Sequence, residues 1–88
     1  MQNKSFTIRN RLGLHARAAA QLVQAANKFD SEIALVKDDV EVNGKSIMGI
    51  LLLAAPQGTD ISVTVTGADE EQAMKIITEL IEDGFGED

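Results

Sequence analysis

Asp60-Ile61-Ser62-Val63-Thr64-Val65-Thr66-Gly67 alternates strictly between apolar and small polar side chains. A strand turns successive side chains to opposite faces, so Ile61, Val63 and Val65 share one face and Ser62, Thr64 and Thr66 the other. One dry face and one wet face describe an antiparallel sheet covered on a single side. Strands of a parallel sheet are buried on both faces and read as unbroken apolar runs. This segment therefore sets the class: α+β, a two-layer open-faced sandwich.

Working outward, Gly67 stops the strand and Asp69 reads as the N-cap of a helix, with Gln72 at the capping-box position. Ala73, Ile76, Ile77, Leu80 and Ile81 form its apolar stripe. Gly84 with Phe85 behind it has the pattern of a glycine C-cap and its hydrophobic contact, and the acidic end Glu87-Asp88 is expected to fray. In the other direction, Pro56-Gln57-Gly58 breaks the chain. Ser46 reads as the N-cap of a short helix from Ile47 to about Leu53, and Asn43-Gly44 is a turn. Residues 33–37 and Val40-Glu41-Val42 are two strands joined through Asp38-Asp39. Ala19, Leu22, Val23 and Ala26 fall at i, i+3, i+4 and i+7, the single stripe of a first helix, and Phe29 packs back behind its end. Residues 3–9, with Phe6 and Ile8 on one face, make the first strand. The order is β-α-β-β-α-β-α: a four-stranded antiparallel sheet with helices on one side, read as a single domain over residues 1–88.

A chain of this length buries roughly 60–65% of its surface on folding, enough for one modest core. There is no cysteine, which excludes disulfides, thiol catalysis and thiolate metal sites, and a single histidine makes no metal site with scattered carboxylates. No metal and no cofactor is expected. Met1-Gln2-Asn3-Lys4 leads into strand-like sequence rather than an apolar leader, and the strongly apolar run over residues 47–55 is far short of the ~18 residues of a membrane span. The expectation is a cytoplasmic protein without membrane insertion. Net charge −6, three Phe and no Trp or Tyr disfavour a nucleic-acid platform.

The one histidine, His15, lies in Gly13-Leu14-His15-Ala16-Arg17, at the expected start of the first helix. Free N–H groups and the positive end of the helix dipole gather there and suit a transferable anion, above all phosphate. Residues 1–29 carry Lys4, Arg9, Arg11, Arg17 and Lys28 and no acid, whereas residues 30–88 hold all fourteen acids. Arg17 opposes the helix dipole, an arrangement unfavourable by a few tenths of a kcal/mol unless an anion arrives. A neutral imidazole can accept a phosphoryl group and release it, provided one ring nitrogen is exposed, the other is oriented and the phosphate oxygens are held lightly. The bland alternative is a surface histidine beside a solvated arginine, but it leaves the glycine and the acid-free segment without a reason.

Ser46 opens Lys45-Ser46-Ile47-Met48-Gly49-Ile50-Leu51. As an N-cap it is worth about 1 kcal/mol. An exposed cap serine can also be phosphorylated, gaining roughly −1.5 to −2 charge. The short helix is too apolar all round to lie on a surface. Ile50 and Leu53 are assigned to the core, and Ile47, Met48 and Leu51 to an exposed patch for partners.

Gly13-Leu14-His15-Ala16-Arg17-Ala18 resembles the phosphohistidine signature of the HPr family, the histidine-containing phosphocarriers of the bacterial phosphoenolpyruvate:sugar phosphotransferase system. Lys45-Ser46-Ile47-Met48-Gly49-Ile50 resembles the same family's serine signature, and the element order fits across almost the whole chain. The resemblance implies a relay carrier and not an enzyme. His15 would accept phosphate on Nδ1 from phosphorylated enzyme I and pass it to acceptor proteins, with Arg17 binding the phosphate. Ala16, Ala20, Ile47, Met48 and Leu51 would form the docking surface, and Ser46 would be regulated by HPr kinase/phosphorylase where that enzyme exists. A monomer with transient partners is the expectation. Ala18 stands where the family often has proline, and Gln24, Asn27 and Gly49 stand where several members carry lysines, which weakens electrostatic steering. Three other readings remain at this stage: a regulatory relative from the nitrogen-related branch acting mainly by protein binding, a module switched at Ser46 that never relays phosphate, and a small-ligand or RNA-binding sandwich.

Overall fold

In the computed structural model, which describes residues 1–87, the alternating segment becomes a strand with partners on both sides. The elements are β1 (Gln2–Thr7), α1 (Ala16–Ala26), β2 (Glu32–Lys37), β3 (Val40–Asn43), α2 (Ile47–Leu53), β4 (Asp60–Thr66) and α3 (Glu70–Glu82), followed by a 3-10 turn over Gly84–Gly86. The sheet order is β1-β4-β2-β3, and every pairing is antiparallel. The expected class and order are those observed.

Register explains the two faces. Phe6 opposes Ile61, Leu35 opposes Val63 and Ile33 opposes Val65, so one face is a continuous apolar surface. The opposite face aligns Asn3, Thr64 and Ala34, and Ser5, Ser62 and Val36. There Asn3 Nδ2 donates to Thr64 Oγ1 at 2.7 Å and Thr7 Oγ1 donates to Asp60 Oδ1 at 2.6 Å. The helices cover only the apolar face: α3 lies on β1 and β4, α2 lies on β3 and β2, and α1 packs against both other helices. Leu22 of α1, Ile50 of α2 and Ile77 and Ile81 of α3 meet Leu35, Val63 and Val65 in one buried core. Among the described residues no helix is long and apolar enough to cross a membrane.

The first strand is shorter than expected. Ile8 leaves the ladder and instead exchanges backbone hydrogen bonds with the 58–59 turn, donating to Thr59 O and accepting from Gly58 N–H, while its side chain stays in the core. The stripe of α3 is also rotated: Met74 is buried beside Ala73, Ile77 and Ile81, and Ile76 is exposed.

The capping box expected at Asp69 and Gln72 does not form. Asp69 flanks α3 but makes no cap hydrogen bond. Its carboxylate accepts from Asp30 N–H at 2.9 Å, from Ser31 N–H at 3.0 Å and from the Ser31 hydroxyl. Three donors from the α1–β2 loop outweigh the one helical amide a cap would satisfy. The Ser31 hydroxyl first, then the Asp30 amide, hold the Asp69 carboxyl below its usual range against the opposing effect of desolvation.

Candidate functional site

Gly13 shapes the loop that delivers His15. Its φ of +67° is in the left-handed region, and a Cβ there would collide with Ala55 O and Pro56 Cα. Backbone thus lies directly against backbone, and Leu14 N–H donates to Ala55 O at 2.9 Å. Asn10, almost fully buried, closes the turn: it accepts from Gly13 N–H at its carbonyl, and its Nδ2 donates to Gly13 O at 2.7 Å. Leu14 then enters the core, which fixes the residue after it at the start of α1.

His15 is the N-cap of α1, with extended backbone. Its carbonyl accepts the N–H of Ala19 at 2.8 Å, so the amides of Ala16, Arg17 and Ala18 precede the intrahelical ladder. The imidazole does not cap them, and the first turn contains no acid. The ring is half-buried, its side chain 26% exposed. Arg17 is exposed and shares a cleft of about 530 Å³ with His15, Arg11, Leu12, Phe85, Gly86 and Glu87. Among the described residues Arg17 forms no ion pair.

Glu87, expected to fray, is instead part of this cleft. Gly84 at φ 64° and Phe85 at φ 58° reverse the chain after α3, and Phe85 is buried as the glycine C-cap pattern anticipates. The reversal brings Glu87 Oε2 against His15 Nε2, while Glu87 Oε1 accepts from Asn10 Nδ2 at 3.0 Å. The Asn10 amide is the largest influence holding the Glu87 carboxyl below its usual range. Desolvation opposes it, and the His15 hydrogen bond and the charges of His15 and Arg17 add to it. An ionised carboxylate only accepts, so Nε2 is the protonated nitrogen in a neutral ring. Asn10 and Glu87 carried no sequence signal of a site except the Gly84-Phe85-Gly86 reversal, which aims whatever follows it back at the fold. Asp88 lies outside the described residues.

Ser46 is half-buried, and its Oγ accepts from Gly49 N–H at 3.0 Å, the N-cap contact expected of it. Of the docking residues, Ala16 and Ile47 are exposed, Met48 is 68% exposed, and Ala20 and Leu51 are half-buried, Leu51 packing partly against the core. Ile50 and Leu53 are in the core as assigned. Leu52 and Leu12, not singled out in the sequence, are 74% and 66% exposed. Among the described residues no group of three or more His, Cys, Asp or Glu side chains comes together as a metal site.

The sequence and the fold can be set beside known proteins. The PTS-HPr family model, described as the PTS HPr component phosphorylation site, matches residues 2–83. A phosphocarrier protein HPr of Neisseria meningitidis is 51% identical over 87 residues, 99% of this chain and 98% of that protein. The crystal structure of HPr-C-His from Thermoanaerobacter tengcongensis superposes with a TM-score of 0.97 at 48% identity, covering 100% of this chain and 99% of that one. A crystal structure of an HPr dimer from the same organism matches at a TM-score of 0.80 and 48% identity, over 99% of this chain and 100% of that one. With motif, fold and relatives in agreement over almost its whole length, this chain belongs to the HPr family, the phosphocarriers of the phosphotransferase system.

Proposed function

We propose that His15 is the residue that carries the phosphoryl group, accepting it on Nδ1 from phosphorylated enzyme I and yielding it to acceptor proteins of the phosphotransferase system. The observation that carries this reading is a half-buried but accessible imidazole at the tip of α1, beside first-turn amides that precede the helical ladder and an arginine that, among the described residues, forms no ion pair. Nδ1 donates its lone pair to phosphorus, and the electron pair of the broken bond returns to the donor's leaving atom. The dianionic group then lies at the positive end of α1, where the first-turn N–H groups donate to its oxygens and the Arg17 guanidinium adds charge-assisted hydrogen bonds. The open cleft keeps this grip light enough for the group to move on. The protein supplies a carrier atom and a docking face and does not itself turn over a substrate.

Ala16, Ala20, Ile47, Met48 and Leu51 are assigned to the docking face, to which Leu12 and Leu52 add exposed apolar area. Ser46 is assigned as a regulatory site for HPr kinase/phosphorylase. A phosphate there adds roughly −1.5 to −2 charge at the edge of the docking helix and repels an acidic partner. The chain acts as a monomer with transient partners.

The test is incubation with enzyme I and phosphoenolpyruvate. An acid-labile, base-stable adduct is expected on the parent protein and absent from His15→Ala. A parent protein that takes up no phosphate overturns the assignment and leaves a chain that works by binding alone.

A further inference from the structure

Asn10 and His15, five residues apart, are joined through the distant Glu87 in a chain of hydrogen bonds behind the His15 ring. Buried Asn10 donates from Nδ2 to Glu87 Oε1, and the other Glu87 oxygen faces His15 Nε2. The contact spans 72 residues and depends on a purpose-shaped reversal, Gly84-Phe85-Gly86, whose phenylalanine is buried in a left-handed backbone conformation. Strained backbone of this kind persists only where its surroundings hold it. No hydrogen bond to Nδ1 occurs among the described residues.

From this geometry we infer that Glu87, held by Asn10, is a positioning residue for phosphoryl transfer: it keeps the proton on Nε2, leaves the lone pair on Nδ1, and stabilises the positive charge the ring acquires as the N–P bond forms. The inference rests on the His15 carrier reading and adds a member to its site. In the transfer step Nδ1 bonds to phosphorus, the donor's bond to phosphorus breaks with its electron pair going to the donor, and the Nε2 proton stays on His15. The ring then bears a cationic charge shared with Nε2–H, opposite the Glu87 carboxylate. The logic is that of a histidine oriented by a carboxylate that accepts from its second nitrogen. Because the carboxylate lies on the Nε2 side, it does not occupy the approach to Nδ1. Residue 10 belongs to the same device, since an unanchored tail carboxylate would spend much of its time in water.

Two substitutions separate orientation from charge. Glu87→Gln keeps an oxygen that can accept from Nε2–H and removes the charge; Glu87→Leu removes both. The first readout is the ¹⁵N spectrum of the unphosphorylated, neutral His15 ring, which reports the tautomer directly. The parent is expected to be almost entirely Nε2–H, Glu87→Gln close to it, and Glu87→Leu to show a tautomer ratio lower by about tenfold. The second readout uses potassium phosphoramidate as donor and ³¹P spectra to locate the adduct. The parent is expected to react at Nδ1 alone, and Glu87→Leu at both ring nitrogens. With enzyme I as donor, Glu87→Gln is expected to transfer about tenfold more slowly although its tautomer is unchanged. A purely structural tail would alter thermal stability but neither the tautomer nor the site of reaction. An unchanged ¹⁵N spectrum in Glu87→Leu overturns the inference, as does an unchanged transfer rate in Glu87→Gln. Failure of enzyme I to phosphorylate the parent overturns the carrier reading instead, and leaves the tautomer measurement standing on its own.

Discussion

Arg17 occupies the turn of a helix where a cation is least favourable, and it forms no ion pair among the described residues. A structural arginine is ordinarily recognisable by a partner or by buried stem atoms, and this one is exposed. Arg17→Ala is therefore expected to change stability in urea by no more than about 0.5 kcal/mol, with a slight gain as readily as a loss. Transfer of phosphate from enzyme I is expected to slow by roughly ten- to a hundredfold, the worth of one or two hydrogen bonds between charged groups. Stopped-flow or quench-flow transfer beside a urea melt checks both halves. A destabilisation above about 1 kcal/mol with unimpaired transfer assigns the residue to the fold instead.

At the scale of elements, one hydroxyl and one carboxyl, those of Ser46 and Asp69, flank helices and do different work. Ser46 satisfies the Gly49 amide within α2, so Ser46→Ala should cost about 1 kcal/mol in a denaturant melt. Ser46→Asp should keep the cap and hence the stability, yet bind enzyme I more weakly in a titration; equal affinity would deny charge repulsion. Asp69 ties the α1–β2 loop to the start of α3. Its carboxyl pKa is lowered by folding, so its contribution is fully present above the unfolded value near ~4 and is lost as pH falls through the lower folded value. The stability gap between the parent and Asp69→Ala should be constant from neutral pH down to about 5 and close below about 4, as urea midpoints across that range would show. The contrast between these residues also marks what the chain discloses on its own. Ser46 was legible because cap and amide are three residues apart, as are the strands, whose alternation is local. Asp69 was not, because its donors lie at residues 30 and 31 and compete with the cap from across the molecule. Glu87 was hidden for the same reason, 72 residues from His15. The phase of the α3 stripe, Met74 in and Ile76 out, is set by the β1 and β4 strands it lies on, which no periodicity within the helix reports.

Over the whole molecule, charge and apolar surface are arranged to act on different stages of an encounter. The chain carries a net charge of −6, yet the cleft around His15 is lined by Arg11 and Arg17, with Glu87 the one acid among the described residues that line it. Toward an acidic partner, as proposed for enzyme I, the overall charge would repel while the cleft attracts, and added salt screens both. The two dependences partly cancel. The association rate should therefore change by less than about tenfold between roughly 0.05 and 0.5 M salt, far from the steep fall of a strongly steered pair. Residence must then come from contact, and Met48 is the most exposed apolar side chain of α2 after Leu52. Surface plasmon resonance with enzyme I should separate the two contributions. Arg11→Ala lowers the association rate with little change in dissociation, because its charge acts before contact. Met48→Ala leaves association alone and speeds dissociation several-fold, because its side chain is buried only once the partners touch. A steep fall of the association rate with salt would mean that the cationic cleft dominates the field and that the acidic remainder of the chain faces away during docking.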